Sequence, residues 1–288
     1  MQIACTPEEL DLFRIISRAA DKLGFPAYLI GGFVRDKIIG RPTKDADIVC
    51  LGDGIALAQE VAKAFHPKPA VSFFRNFGTA QVKLPGYELE FVGARKESYR
   101  TDSRKPEVEP GSLEDDQNRR DFTINAMAIS LNATTFGQLL DPFNGREAIE
   151  NRCIQTPLAP VQTFSDDPLR MMRAIRFAAQ LDFQIHPLTF EAICENAGRI
   201  RIVSQERITD ELNKVMLTAK PSVGWDLLFR SGLLQQVFPQ MSDLYGAEYQ
   251  DGKGHKDNFY HTLQVLDNLS ANTNDLWLRW AAVLHDIG

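Results

Sequence analysis

Two aspartates, Asp45 and Asp47, alternate with apolar residues in the run Lys44-Asp45-Ala46-Asp47-Ile48-Val49. The alternation is typical of a β-strand, in which residues two positions apart project from the same face. Two carboxylates on one face supply the oxygen ligands that hard divalent cations such as Mg²⁺ prefer. Taken alone, the pair is a weak signal, because a solvated pair at the end of a strand has the same pattern. The choice between these alternatives depends on the surrounding residues.

A glycine pair stands upstream of the aspartates, in the run Gly31-Gly32-Phe33-Val34-Arg35-Asp36. Gly31 and Gly32 allow a phosphate to approach the backbone, and a helix that starts after them presents N–H donors to an anion. Arg35 would add a bidentate phosphate contact. A glycine pair before a helix is otherwise only a tight turn, so the spacing to the two aspartates is what makes the pattern specific.

This combination closely resembles the DNA polymerase beta-like nucleotidyltransferase head that bacterial CCA-adding enzymes and poly(A) polymerases share. Two further blocks match the same family, RRDFTINA at residues 119–126 and DDPLRMMRAIRF at residues 166–177. The resemblance covers nearly the entire chain. It implies that Asp45 and Asp47 are catalytic and hold two Mg²⁺ ions, which activate an RNA 3′-hydroxyl without any covalent intermediate on the protein.

The resemblance also implies which residues contact the nucleotide. From the first block it carries over Arg120, Asp121 and Asn125, as contacts to the ribose and triphosphate. From the second block it carries over Asp167 and Arg170, as contacts to the base. An aspartate acceptor beside an arginine donor suits the amino group and ring nitrogen of cytosine and of adenine, whereas guanine and uracil present the reverse order. We therefore expect side chains to act as the template that selects CTP and ATP.

A helix predicted from 167 to 181 has two faces at about 100° per residue. Its apolar face consists of Met171, Met172, Ile175, Ala178 and Ala179. Arg170, Arg173 and Arg176 fall opposite, which usually means a solvated face, but the family motif places this arc over the incoming nucleotide. Asp166 stands where the family usually has glutamate, so the carboxylate that buttresses the arginine is one methylene shorter.

The family's third head carboxylate lies on a later strand, where the best match is Glu90. Glu88 shares the same face of that strand and is the alternative. Both could also be solvent-facing charges on an edge hairpin.

Histidines and an aspartate near the C-terminus resemble the start of an HD domain. His261, His285 and Asp286 would form its metal site, with His255 close by. HD sites need a further distal aspartate, so this site is incomplete, and His261 as an ordinary helix residue is the alternative. Because the chain stops at Gly288, inside the motif, we expect a truncated protein.

The predicted secondary structure that positions these residues changes along the chain. Helical, strand and hairpin patterns alternate up to about residue 92, and a polar, Pro- and Gly-containing stretch predicts a mobile loop at 95–118. From Thr163 onward the patterns are helical. The predicted class is α+β, a polymerase beta-like head followed by an all-α neck and body. The expected domains are 1–150 (head), 151–245 (neck, base recognition and RNA binding) and 246–288 (truncated HD-type domain).

Composition excludes several classes of protein. The chain has 288 residues, 44% of them hydrophobic, which is enough for real cores, and no apolar run is long enough to span a membrane. Its four cysteines are far apart without a C-x-x-C pair, so we expect neither a zinc site nor disulfides. The formal net charge of −6 restricts nucleic-acid contacts to local basic clusters. A cytoplasmic location is expected.

The interpretation that joins these features is a tRNA nucleotidyltransferase that adds CMP and AMP to the tRNA 3′ end and releases pyrophosphate. The alternatives are a poly(A) polymerase and a split CC- or A-adding enzyme, and the stretch RNFGTA at 75–80 favours CCA addition. From other classes, an HD phosphohydrolase or a non-catalytic tRNA-binding protein is possible in principle. The intact pair Asp45 and Asp47 argues against both.

Overall fold

A mixed seven-stranded sheet forms the first half of the molecule in the computed structural model, which describes residues 2–74, 78–100, 103–246, 249–250, 253–254 and 257–287. Two units are separately compact. The first comprises Met1–Ser98 and Pro106–Asn151, and the second Tyr99–Lys105 and Arg152–Gly288. The segment 75–77, His255 and Gly288, which the sequence analysis singled out, lie outside the described residues.

The described strands before residue 151 form the large sheet and one two-stranded sheet. They are β1 (Ala27–Ile30), β2 (Asp45–Cys50), β3 (Val71–Phe74), β4 (Thr79–Leu84), β5 (Tyr87–Gly93), β6 (Arg95–Arg100), β7 (Ser103–Pro110), β8 (Ala128–Ser130) and β9 (Leu139–Leu140). The sheet order is β3-β4-β5-β2-β1-β8-β9, and β6 pairs with β7. Within the large sheet β2 and β5 run parallel, whereas the other neighbours are antiparallel.

Five α-helices lie in the described residues of the first unit: α1 (Pro7–Leu23), α2 (Gly32–Ile39), α3 (Gly54–Ala62), α4 (Leu113–Asn118) and α5 (Gly145–Glu150). Two short 3-10 helices, Thr123–Asn125 and Ala133–Thr135, also belong to it. Helix α1 begins at Pro7, after Thr6, which forms a reciprocal capping box with Glu9. It ends at Gly24, whose φ of 69° is the left-handed conformation that glycine adopts most readily. Its apolar face packs into the core through Phe13 and Ile16, both fully buried.

The described part of residues 95–118 forms regular secondary structure, whereas the sequence predicted a mobile loop there. It contains strands β6 and β7 and helix α4. Ser112 and Asp115 form a second capping box, in which the Ser112 hydroxyl accepts from the Asp115 N–H at 3.1 Å. The acidic run 114–116 is therefore the start of a helix, where carboxylates interact favourably with the helix dipole.

The second unit is almost entirely helical, which confirms the predicted α+β class. Its helices are α6 (Pro160–Asp166), α7 (Leu169–Leu181), α8 (Pro187–Asn196), α9 (Gln205–Met216), α10 (Pro221–Arg230), α11 (Leu233–Val237), α12 (Pro239–Ser242), α13 (Asn258–Ser270) and α14 (Leu276–Leu284). Two pairs of two-residue strands interrupt the helices, β10 (Cys153–Ile154) with β11 (Gln184–Ile185) and β12 (Tyr249–Gln250) with β13 (Lys253–Gly254). In the part of the chain that is described, no helix combines the length and apolar character that crossing a membrane requires.

Candidate active site

The parallel pairing of β2 with β5 brings four carboxylates to one face of the sheet. In this register Asp45 lies beside Glu88, and Asp47 lies beside Glu90. Side chains of paired residues on adjacent strands point to the same side. Ala46 and Ile48, which alternate with the aspartates, are buried, whereas Asp45 is exposed and Asp47 is partly exposed. The predicted strand with two aspartates on one face is therefore present.

The two glutamates of β5 have different surroundings. Glu88 is engaged by β4, because its Oε1 lies 3.2 Å from Lys83 Nζ and its Oε2 accepts from Gln81 Nε2 at 3.3 Å. Glu90 interacts with Asp47 instead. Partial burial raises the pKa of Glu90, and the neighbouring charge of Asp47 raises it further. The geometry therefore favours Glu90 over Glu88 as the third carboxylate of the site.

Asp47 lies in a mostly negative environment, with the carboxylates of Asp45 and Asp116 and the guanidinium of Arg120 nearby. Burial is the main cause that raises the pKa of Asp47, and the charges of Asp45 and Asp116 raise it as well. The Arg120 guanidinium works in the opposite direction. A divalent cation would relieve the same repulsion, so the donor set of acceptor-only oxygens fits a hard metal ion.

Gly31 lies between Arg120 and Asp47. Its φ of 80° and ψ of −138° are a conformation that L side chains rarely adopt. A Cβ atom at this position would lie 2.8 Å from Arg120 Nη1 and 3.3 Å from Asp47 Oδ2. Gly31 is also the N-cap of α2, and no side chain caps that end of the helix. The backbone at Gly31 thus lies close to both the candidate metal ligand Asp47 and the cation Arg120, and a phosphate contact at the glycine pair stays a prediction.

Arg35 differs from its predicted role. Its bidentate partner is the carboxylate of Asp36, at 2.9 Å for both contacts, and its Nη1 donates to Asn125 Oδ1 at 2.7 Å. Asn125 in turn donates to Asp121 Oδ1 at 3.0 Å. All three of Arg35, Asn125 and Asp121 are buried. In this structure Arg35 therefore holds the turn of residues 121–125 against α2, and a phosphate contact by Arg35 stays a prediction.

Sequence reasoning missed two residues of α4 that organise this region. Asp116 is fully buried and pairs with both Arg119 and Arg120. Gln117 is also buried, and its Nε2 donates to the carbonyls of Ala126, at 2.7 Å, and Leu140, at 3.4 Å. The polar composition of the stretch concealed these roles. The Ser112-x-x-Asp115 capping signature was the available signal for a helix.

In the second unit, Asp167 and Arg170 flank the start of α7. The Oδ1 atom of Asp167 accepts from the N–H of Leu169, the first residue of the helix, at 3.2 Å. Asp166 accepts a hydrogen bond from Gln162 Nε2 at 2.5 Å. Asp167 and Arg170 are both partly exposed. Their predicted contact with a base stays a prediction.

Arg176 is buried, and the predicted contact of Arg173 and Arg176 with the nucleotide stays a prediction. The apolar face of α7 is buried as expected at Met171, Met172 and Ile175, but Arg176 is buried too. Its Nε donates to Glu211 Oε2 in α9 at 2.6 Å, and its guanidinium lies over the Phe177 ring, 3.9 Å from the centroid. Arg173 stays partly exposed, 5.3 Å from the same ring. Arg176 therefore joins α7 to α9.

The pKa of Glu211 reflects this buried pairing. Burial alone would raise it, but the charges and hydrogen bonds of Arg176 and Lys214 together hold it below its ordinary value. Glu211 is thus ionised and paired on both sides, with Lys214 Nζ at 2.9 Å from its Oε1.

The predicted C-terminal residues come together. His261 of α13 and His285 and Asp286, just after α14, have their potential ligand atoms within 4.8 Å of one another, and they are the one such trio found among the described residues. His285 Nε2 lies 3.2 Å from Asp286 Oδ2, and its Nδ1 lies 2.7 Å from the Ala282 carbonyl oxygen. This arrangement could hold a metal ion through two imidazoles and one carboxylate.

Comparison with known proteins places this geometry in a family. Residues 27–155 match the family described as Poly A polymerase head domain, and residues 182–244 match that described as probable RNA and SrmB- binding site of polymerase A. A CCA-adding enzyme of Levilactobacillus brevis is 36% identical over 245 residues, which are 84% of this chain and 59% of the relative. An A-adding tRNA nucleotidyltransferase of Aquifex aeolicus is 40% identical over 192 residues, 65% of this chain and 22% of that protein.

A solved structure supports the same grouping. It is a tRNA nucleotidyltransferase complexed with a primer tRNA and an incoming ATP analog, with a TM-score of 0.75 and 28% identity over 94% of this chain and 75% of that one. The chain spans about three fifths of the Levilactobacillus relative and about a fifth of the Aquifex relative. Both the head and the helical second unit contain matched residues, at 27–155 and 182–244. The chain therefore belongs to the tRNA nucleotidyltransferase and bacterial poly(A) polymerase family.

Proposed function

We propose that this chain carries the catalytic machinery of a tRNA nucleotidyltransferase that adds CMP and AMP, taken from CTP and ATP, to the tRNA 3′ end. The observation that carries the proposal is the β2–β5 register, which sets Asp45, Asp47 and Glu90 on one face beside the glycine turn at Gly31. The names of the relatives and the tRNA and nucleotide in the related structure support this substrate class. For the chain we propose a head at 1–150, a neck and RNA-binding body at 151–245 and an HD-type segment at 246–288.

The metal in this proposal is Mg²⁺, held by Asp45 and Asp47 with Glu90 as the third carboxylate. When bound, two such ions supply activation of the 3′-hydroxyl and charge stabilisation of the departing pyrophosphate. The carboxylates orient the reacting groups, and a bound cation would offset the repulsion between them. Gly31 lets the triphosphate approach the backbone, and Arg120 presents a positive charge beside Asp47.

Choice of the base belongs, in this proposal, to Asp167 and Arg170. Asp167 is the acceptor for the exocyclic amino group, and Arg170 is the donor to the adjacent ring nitrogen. The group that accepts the nucleotide is the 3′ end of a tRNA. Its phosphates would be bound by local basic clusters, because the chain as a whole is acidic.

The test is an extension assay with a tRNA that lacks its last three nucleotides, offered CTP and ATP singly and together. Addition of two C residues from CTP, and of a final A when ATP is also present, supports the proposal. Runs of A would point to a poly(A) polymerase, and C-only or A-only addition to a split enzyme. Asp47→Asn should abolish all addition, so extension by this variant at the parent's rate would refute the catalytic assignment.

The trio His261, His285 and Asp286 suggests a second metal site. We propose that it binds a transition metal, since imidazole and carboxylate ligands suit such ions. Titration of the chain and of His285→Ala with Ni²⁺ or Mn²⁺ tests this, and equal binding by both would refute it. The further aspartate that an HD phosphohydrolase needs is not assigned in this chain.

A further inference from the structure

One buried carboxylate in the head holds two arginines. Asp116 in α4 is 0% exposed. Its Oδ1 accepts from Arg119 Nε at 2.9 Å and also from Arg119 Nη2, while its Oδ2 accepts from Arg120 Nε at 3.2 Å and Nη2 at 3.1 Å. A carboxylate removed from water needs such partners, because burying it unpaired is costly. Each oxygen atom of Asp116 is thus assigned to one guanidinium.

The contacts orient the guanidinium of Arg120. Its Nε and Nη2 face Asp116, and the remaining nitrogen, Nη1, lies against Gly31. A Cβ atom built on Gly31 would be 2.8 Å from that nitrogen and 3.3 Å from Asp47 Oδ2. One edge of the planar group is therefore fixed, and its opposite end is directed to the glycine turn and the catalytic carboxylate.

Asp116 is itself held in place from both ends of its helix. The Ser112–Asp115 capping box fixes the start of α4. At the other end, Gln117 Nε2 binds the Ala126 carbonyl, which follows directly on the turn that contains Asn125. The helix that carries Asp116 is therefore held by hydrogen bonds at both of its ends.

We propose that Asp116 is a positioning residue, which acts through Arg120 by presenting Arg120 Nη1 to the triphosphate of the incoming nucleotide. The inference rests on the proposed function, which places that triphosphate beside Gly31 and Asp47. A free arginine side chain loses rotamer freedom when it binds a ligand, whereas one that is already clamped has little left to lose. Since the contact is to phosphate, it contributes equally whichever base is bound.

The test is a double-mutant cycle on triphosphate binding by the full chain in the presence of Mg²⁺. Asp116→Ala should weaken the binding of CTP and of inorganic tripolyphosphate about tenfold, because it releases a charge-assisted hydrogen-bond donor. In an Arg120→Ala background the same substitution should change binding less than about twofold, since the group through which it acts is gone. Asp116→Asn, which keeps the shape and one acceptor, should give an intermediate loss. Glu114→Gln, an exposed charge change in the same helix, is the matched control and should bind as the parent does.

Thermal melting of each variant accompanies the binding curves. Equal losses from Asp116→Ala in the two backgrounds would overturn the proposal, as would parental binding by Asp116→Ala. Loss of a cooperative melting transition in both Asp116 variants would assign the residue to folding and would also overturn it. Tripolyphosphate binding is measured independently of transfer, so a parent that binds it but never extends tRNA would refute the proposed function alone.

Discussion

At the scale of single residues, the molecule distinguishes two glutamates that the sequence leaves equivalent. Glu88 and Glu90 share one strand face, but only the cross-strand neighbours decide their roles. Glu88 is paired with Lys83, whereas Glu90 stands beside Asp47. A sequence pattern with period two cannot report which partner lies across the strand, because pairing register is a tertiary property.

Substituting the two glutamates separately provides a matched comparison. We expect Glu90→Gln to reduce the rate of nucleotide transfer by at least about a hundredfold, because it removes a carboxylate from the metal-binding cluster. Glu88→Gln should change the rate less than about threefold, since it breaks only an exposed ion pair worth little. Single-turnover extension of tRNA at saturating Mg²⁺ measures both. A larger loss from Glu88→Gln would reverse the assignment.

Asp167 allows a prediction on base choice. Asp167→Ala removes the acceptor for the amino group of cytosine or adenine, so CTP and ATP should lose ~1–3 kcal/mol of their advantage over UTP and GTP. Because Asp167 also accepts a hydrogen bond from the first N–H of α7, melting curves are needed to separate a loss of helix stability. Asp167→Asn is the matched variant, since it keeps an oxygen that can accept the same hydrogen bond. A variant that still excludes UTP and GTP as strictly as the parent would place base choice elsewhere.

At the scale of elements, α7 and α9 are joined by a buried ion pair. Arg176 and Glu211 lie 2.6 Å apart and are both less than a tenth exposed. The family motif that contains Arg176 favoured a role in nucleotide binding. The position of Arg176 around the helix axis did not reveal its contact with Glu211. The apolar stripe of a helix is readable from periodicity, but a buried charge is recognised only when its partner on another helix is known.

Removal of one member of this pair should destabilise the second unit. Glu211→Gln leaves the guanidinium of Arg176 buried without its carboxylate, and we expect a loss of about 3 kcal/mol in the free energy of unfolding. Glu206→Gln, an exposed change in the same helix, should stay within about 0.5 kcal/mol. Urea denaturation at pH 7 measures both.

The sign of the pH dependence follows from the lowered pKa of Glu211. Its stabilisation is present above the ordinary glutamate pKa and is lost as the pH falls through the lower, folded-state value. The difference in the free energy of unfolding between the parent and Glu211→Gln should therefore become smaller only under acidic conditions. A difference that persists unchanged to strongly acidic pH would assign the loss to packing instead of charge.

At the scale of the whole molecule, the sequence predicts those features that depend on local pattern. The strand with Asp45 and Asp47, the capped first helix and the helical second half were all readable, because period and caps are encoded within a few residues. The helix that contains Asp116 was not, since its acidic and polar composition resembles a loop. Its role depends on Arg119 and Arg120, whose position relative to Gly31 is created only by the tertiary fold.

The four cysteines differ in burial, and the buried Cys50 predicts how the stability of the protein changes at alkaline pH. Cys50 is fully buried, Cys5 and Cys153 are partly buried, and Cys194 is exposed. Burial raises the pKa of the Cys50 thiol from its ordinary value of 9.0 to about 12. A thiol with a raised folded-state pKa contributes stability that is complete below the ordinary value, and the contribution declines as the pH rises from there to the folded value.

The parent should therefore lose stability between pH 8 and pH 10 more steeply than Cys50→Ala. The expected difference in that loss is about 1 kcal/mol, since one pKa unit corresponds to about 1.4 kcal/mol. Cys50→Ala also opens a small cavity, but this cost is the same at both pH values and cancels from the comparison. Cys194→Ala is the matched control, because this cysteine is exposed and its substitution should leave the alkaline loss near that of the parent. Urea denaturation of the three proteins at pH 8 and pH 10 measures the effect, and equal losses in the parent and Cys50→Ala would show that the Cys50 thiol has the same pKa in the folded and the unfolded protein.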